Sequence, residues 1–212
     1  MKKLIPFAAV ALLAAMPATA DEVVRKLDGR FSAADASRIT LDFPVGELIV
    51  EAGSGREVEV QVELECDGWR KSRCIEAAKK IEIVAGTGNK LNVELKGWPK
   101  NGDHGLEGVF RVTVPRDLPL TADLGVGEMR ISGLEADLSA DLGVGDVSVT
   151  MPESAVAEVR LNAGVGDATL SAGGRSFTGK GFVGKELEWS SGSGKARVKI
   201  DCGVGEANVK LE

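Results

Sequence analysis

The feature that most constrains the fold is a Val-Gly pair that returns at fixed intervals along the chain. From Val126 onward the successive intervals are 18, 21, 18 and 21 residues. The pairs begin at Val45, Val126, Val144, Val165, Val183 and Val204. Periods of about 20 residues are typical of chains that stack one structural unit on the next. The repeat therefore predicts a β-solenoid.

The residues around each pair predict two short strands joined by a corner. In residues 123–131, apolar and polar side chains alternate on both sides of the pair, as expected for strands with one buried face. The alternation breaks between Val126 and Met129, which are three residues apart. This break predicts a bulge or a corner, where Gly127 supplies the positive φ that such a bend often needs.

The resulting fold prediction is all-β, a parallel β-solenoid with turns of about 18–21 residues, in which each turn pairs with the next. An antiparallel β-sandwich is the alternative, although sandwich loops have no reason to keep a fixed spacing. Residues 66–108 fit the period poorly. They are predicted to form an irregular insertion or cap, with a helix over 72–80 and a strand pair over 81–84 and 91–95.

The N-terminal residues predict export. Two lysines precede an apolar run over residues 4–16, and residues 18–20 read Ala-Thr-Ala, as in a cleavable signal peptide covering residues 1–20. Residues 21–212 then form one mature domain, periplasmic or secreted, with no predicted membrane insertion. Its 32 acids and 24 bases give a net charge of −8. Because it has no basic stripe, nucleic acid is not an expected partner.

The three cysteines divide into a predicted pair and a single thiol. Cys66 and Cys74 flank a short polar stretch that would meet an oxidising compartment, which predicts a disulfide. Cys202 lies two residues before Val204, in register with Leu124 and Leu142. We therefore expect a small buried thiol there.

An acid follows the glycine in most of the repeats, and stacked corners would align these acids in a column. Lys185 is the exception in the sequence pattern. The column is a candidate interaction site, either as a solvated face or as a site where a hard cation such as Ca²⁺ bridges neighbouring carboxylates. Its members are Glu47, Glu128, Asp146, Asp167 and Glu206.

Catalytic chemistry has little support in the sequence. His104 is the single histidine, tyrosine is absent, and no nucleophile motif accompanies the histidine. The acids are aligned rather than convergent, unlike the carboxylate pairs of glycoside hydrolases. We expect a protein that is not an enzyme and that has no cofactor, no catalytic residue and, apart from a cation bridging the acid column, no metal site.

The chain resembles a bacterial family of exported or membrane-linked proteins called toast-rack proteins. The resemblance is carried by residues 112–120, by the Gly-Val-Gly-acid turns up to Leu170, and by residues 203–206. The resemblance covers about residues 39–212. It implies a single-stranded, right-handed β-helix in the cell envelope and a role as an adhesin, and it carries no shared catalytic residues.

These observations predict an exported, non-catalytic cell-envelope structural or interaction module that presents a rigid acidic surface. A surface adhesin for glycan or protein is one alternative, and a polysaccharide-acting enzyme on a β-helix is another. The expected partner is an envelope protein or a glycan. Residues 207–211 continue the strand pattern to the end of the chain, so we also expect an open last rung that allows self-association.

Overall fold

Strands make up most of the structure, which confirms the all-β prediction. A computed structural model describes residues 22–66, 71–86, 88–100, 105–181, 184–190 and 194–212. The predicted signal peptide, residues 1–20, lies outside these ranges, as does His104. The elements are β1 (Glu22–Ser32), β2 (Arg38–Gly53), β3 (Glu57–Cys66), α1 (Lys71–Ala78), β4 (Glu82–Ala85), β5 (Lys90–Lys96), β6 (Leu106–Pro115), β7 (Leu120–Ser132), β8 (Leu138–Met151), β9 (Val156–Ala172), β10 (Arg175–Thr178), β11 (Lys185–Ser190) and β12 (Ala196–Leu211).

Five long parallel strands form the centre of a mixed sheet, in the spatial order β2, β7, β8, β12, β9. Their registers align the repeats. Val126 lies between Val45 and Val144, and Val204 lies between Val144 and Val165. The predicted stacking of the repeat valines is therefore confirmed for these five strands, which we call the central rungs.

The backbone of each central rung is irregular at its Val-Gly pair. Leu124 and Met129 are both buried although they are five positions apart, an odd number, so the buried face has switched parity between them. Gly127 has φ +136°, and the matching glycine of every other central rung has φ between +128° and +137°. This confirms the predicted corner and the reason for its glycine.

The order of the rungs in the sheet differs from their order in the chain. Among strands that follow one another in sequence, β7 and β8 alone pair in parallel, whereas β12 inserts between β8 and β9. In the chain order of the central rungs, β2 pairs with β7, β7 with β8 and β9 with β12, so the prediction that each turn pairs with the next is wrong between β8 and β9. The physical reason is that all central rungs share one register and one side-chain pattern, so any rung fits beside any other.

Insertion of β12 between two strands also determines whether its edges are free to pair with another chain. The strand pairs with β8 along one edge and with β9 along the other. The predicted open rung over residues 207–211 is therefore wrong, because both hydrogen-bonding edges of β12 are occupied.

The strand that follows the fifth Val-Gly pair, at Val183, is not a central rung. β11, which begins immediately after Gly184, pairs antiparallel with β9, and Lys185 lies opposite Ala163. Val183 itself lies outside the described residues. The 39 residues from Val165 to Val204 therefore contain one rung and an antiparallel excursion through β10 and β11, not two solenoid turns.

Antiparallel pairing begins directly at β9 on one side of the stack of central rungs, and beyond β5 and β6 on the other. β10 and β11 pair with β9 at one end, while at the other β5 and β6 pair in parallel with β2 and connect it to β4, β3 and β1. Antiparallel pairing is thus confined to the ends, and the antiparallel sandwich alternative is wrong for the centre. The helix and strand pair expected within residues 66–108 are present as α1, β4 and β5.

The predicted disulfide between Cys66 and Cys74 is confirmed, with 5.9 Å between the two Cα atoms. It attaches α1 to the end of β3. The apolar side chains of the rungs form one continuous buried cluster, which the stacked rings of Phe43 and Phe110, 4.4 Å apart, extend towards β6. Leu134, in the connection from β7 to β8, is also fully buried and closes the core beneath that turn.

None of the helices in the described ranges is long and apolar enough to cross a bilayer.

Candidate functional site

The predicted acid column forms along one side of the corners. Glu128 lies between Glu47 and Asp146, and Glu206 lies between Asp146 and Asp167. The five acids therefore occupy five neighbouring rungs, one rung (about 4.8 Å) apart. Lys185, the exception in the sequence pattern, lies on β11 outside this column.

The negative charges of the acid column are partly compensated by neighbouring groups. Arg130 forms ion pairs with Glu47 and with Glu128, the latter at 2.6 Å. Further along, the backbone N–H of Glu206 donates to Asp146 Oδ1 at 3.0 Å. Since one arginine serves two carboxylates and the next contact is to a neutral amide, the column keeps an excess of negative charge.

A second polar row, which the sequence analysis missed, runs along the other side of the corners. It contains the residue three positions before each repeat valine and follows the same register. Lys199 pairs with Asp201 at 2.5 Å, and Asn162 Nδ2 donates to Asp201 Oδ1 at 3.3 Å. The recurring aspartate at this offset was the available signal. We call this the aspartate row: Asp42, Asp123, Asp141, Asp201 and Asn162.

Two members of the aspartate row have perturbed acidity. Partial burial raises the pKa of Asp123, and the neighbouring carboxylates of Asp141 and Asp42 raise it further. Burial also raises the pKa of Asp141, assisted by Asp201 and opposed by Lys199 and by a hydrogen bond from Ser139. Stacking acids one rung apart thus makes their charged forms costly.

The repeat valines lie between the two acidic rows and face solvent. Val126, Val144, Val165 and Val204 expose between 45% and 53% of their surface, and Val45 is half-buried. The sequence analysis predicted that these valines stack but did not predict their exposure, because the corner breaks the alternation that marks buried positions. We call these five residues the valine ridge.

A shallow groove of about 490 Å³ borders the aspartate row. Its lining includes Gly125, Gly143, Gly203 and Gly164, which stand between that row and the valine ridge. A Cβ on Gly125 would overlap the carbonyl oxygen of Pro44, and one on Gly143 would overlap that of Gly125. Glycine is therefore required for the rungs to approach one another here.

Cys202 is buried beneath this groove, as predicted. Only 2% of its surface is exposed, and its Sγ donates to the carbonyl oxygen of Gly145 at 3.4 Å. Burial raises the pKa of the thiol, and the nearby charge of Asp146 adds to the effect. The thiol is therefore held in its unreactive protonated form.

A second cavity of about 300 Å³ lies near the start of the rungs and is lined by both signs of charge. Arg197 pairs with Asp137 at 3.2 Å, and Arg160 pairs with Glu158 at 2.6 Å. Most of its charge is therefore internally compensated. Across the described ranges, no group of three or more histidine, cysteine or acidic side chains is arranged to hold a metal ion.

Comparison with known proteins defines the family. Residues 18–171 match the model of the N-terminal domain of toast_rack, DUF2154. The chain belongs to the toast-rack family. This confirms the resemblance that the Gly-Val-Gly-acid turns indicated, and the toast-rack match spans four of the five central rungs.

One solved structure shares the fold of this toast-rack chain. It is described as a "putative cell adhesion protein" from Clostridium sporogenes ATCC 15579. It is 19% identical, with a TM-score of 0.54, and the alignment covers 89% of this chain and 99% of the other. No curated protein matches the sequence.

Proposed function

We propose that the protein is an exported, non-catalytic interaction module of the cell envelope. It binds a partner through the surface made of the acid column, the valine ridge and the aspartate row, which we call the corner face. The observation that carries the proposal is the alignment of the valine ridge between two acidic rows on five rungs. Each central rung is hydrogen-bonded to neighbours on both sides, so the face is preorganised and little entropy is lost on binding. Export rests on the composition of residues 1–20.

We infer that the connection from β7 to β8 forms a right-handed solenoid turn. The two strands are parallel neighbours in one sheet and 18 residues separate Leu120 from Leu138. Such crossovers are right-handed in about 98% of known cases. β2 adds beside β7, and β12 and β9 add beside β8, so the stack and its exposed corners extend over five rungs.

A polysaccharide-acting enzyme is less well supported. Glycosidases place one carboxyl group on each side of the scissile bond. Here the carboxylates of each row follow one another along the stack, on matching positions of parallel strands. A row of this kind offers many similar contacts, which suits the binding of an extended partner.

Affinity capture from a native bacterial envelope tests the proposal. The bait variant carries Glu128→Gln, Asp146→Asn and Glu206→Gln. The matched control carries Glu57→Gln and Glu59→Gln, which remove two acids that pair with Arg30 on β1, away from the corner face. We expect the wild type and the control to retain a common partner that the corner variant loses. Equal capture by all three proteins would contradict the proposal.

An adhesin that binds glycan or protein is a second candidate, supported by the printed description of the Clostridium structure. A glycan array with the folded protein distinguishes it from a module that binds envelope protein. Saturable binding to a glycan class, lost in the corner variant, would favour the adhesin.

A further inference from the structure

The valine ridge is the main exposed apolar feature of the described structure. Four of its members have about half of their surface in water, and the one other large apolar residue with comparable exposure in the described ranges is Val23, on β1. The five valines lie on neighbouring rungs, so the ridge is about 19 Å long. The positive φ at the corner accounts for the glycine of each pair but gives no reason for an exposed valine before it.

The charges on either side of the ridge indicate what could cover it. The acid column contributes five carboxylates and the aspartate row contributes four, while Arg130 and Lys199 are the cations paired with them. A complementary partner must have an apolar stripe with positive charge along both of its borders. An acidic or neutral partner would leave the carboxylates desolvated and unpaired.

The spacing of the valines favours a helical partner. Successive valines are one rung, about 4.8 Å, apart, whereas one turn of an α-helix advances 5.4 Å and alternate residues of a strand advance about 6.6 Å. A helix of about 13 residues has the length of the ridge and keeps one apolar side chain near each valine. The apolar side chains of an extended strand lying along the ridge would no longer lie opposite the valines after two rungs.

We propose that the valine ridge is the docking site of a basic amphipathic α-helix, whose apolar stripe packs on the valines and whose lysine and arginine side chains reach the two acidic rows. This inference rests on the proposed interaction function and names the class of its partner. The glycine-lined groove next to the ridge gives the helix room on the side of the aspartate row.

The probe is an 18-residue peptide of leucine and lysine with leucines at helical spacing, and its matched control has the same composition in strict alternation. Binding is measured by fluorescence anisotropy to the full-length protein and to the triple variant Val126→Ser, Val144→Ser, Val204→Ser. Val23→Ser is the control for loss of an exposed valine elsewhere. Circular dichroism and thermal melting establish that each protein is folded, as we expect because the substituted valines lie outside the core.

We expect the helical peptide to bind the wild type and Val23→Ser equally, and the triple variant at least about tenfold more weakly. The alternating peptide should bind the wild type at least about tenfold more weakly than the helical one. Equal affinity of the triple variant would show simple charge attraction and overturn the proposal, as would absence of binding to the wild type. Envelope capture is repeated with the valine triple variant. If this variant retains a partner that the acid-substituted corner variant loses, the present inference fails while the proposed function stands.

Discussion

At the scale of single residues, the corner glycines control how closely the rungs approach. Gly127 combines φ +136° with a position where a Cβ would overlap the carbonyl oxygen of Gly46 on the neighbouring rung. Both the backbone conformation and the space therefore exclude a side chain. Gly174 separates the two effects, since its φ is +71° but a Cβ would meet nothing within 4 Å.

We predict that Gly127→Ala lowers the free energy of unfolding by about 3 kcal/mol or more, because the rungs must move apart in addition to the strain. Gly174→Ala should cost only about 1 kcal/mol, from the unfavourable φ alone. Urea denaturation of both variants measures the difference. Equal losses of unfolding free energy in the two variants would mean that the close approach between rungs adds nothing to the cost of a side chain at Gly127.

Cys202 gives a second residue-scale prediction. Because its thiol is buried and its pKa is raised, we expect no labelling by a chromogenic thiol reagent at pH 8 in the native protein over an hour. One thiol per chain should react promptly in denaturant, since the other two cysteines form the disulfide. Rapid native labelling would contradict the buried position.

At the scale of elements, the disulfide fixes α1 to the end of β3. On the chain-entropy view, closing this short loop stabilises the fold by roughly 2–3 kcal/mol. We predict that reducing agent lowers the melting temperature of the wild type and leaves a Cys66→Ala, Cys74→Ala variant unchanged. Thermal melts with and without reductant check this, and an equal response of both proteins would contradict it.

The sequence predicts the local structure of the central rungs but not their order in the sheet. The strands, the corners and the acid column could be predicted from the residues around Val126 and Val144. Local alternation of apolar and polar side chains marks a strand, and a glycine marks a position that requires a positive φ. The position of β12 did not follow, since its Cys-Gly-Val-Gly-Glu corner resembles every other rung and identical registers cannot specify order. The exposure of Val126 was missed for a related reason, because a bulge removes the parity by which burial is assigned.

At the scale of the whole molecule, the aligned carboxylates make stability depend on pH. The folded state raises the pKa of Asp123 and Asp141, so it binds their protons more tightly than the unfolded state does. The free energy of unfolding therefore falls as pH rises through these raised pKa values. Above these raised pKa values the cost of the charged forms is fully present.

We predict that Asp123→Asn stabilises the protein at pH 7 by up to about 0.5 kcal/mol, a small amount because water screens half-exposed carboxylates. The gain should disappear near pH 3, where the aspartate is protonated in both states. Asn162 already occupies the same row on β9, so the substitution fits. Asp28→Asn, between Lys26 and Arg30 on β1, is the control and should bring no gain. A variant equally stabilised at both pH values would contradict the electrostatic cause.

The insertion of β12 between β8 and β9 has a consequence for the folding pathway. Both flanking strands precede β12 in the chain, and β10 and β11 lie between β9 and β12. Until β12 has inserted, one edge of β8 and one edge of β9 are without the strand that pairs with both in the folded protein. A partly folded chain of this kind displays two bare backbone edges, which chaperones or a second such chain can capture.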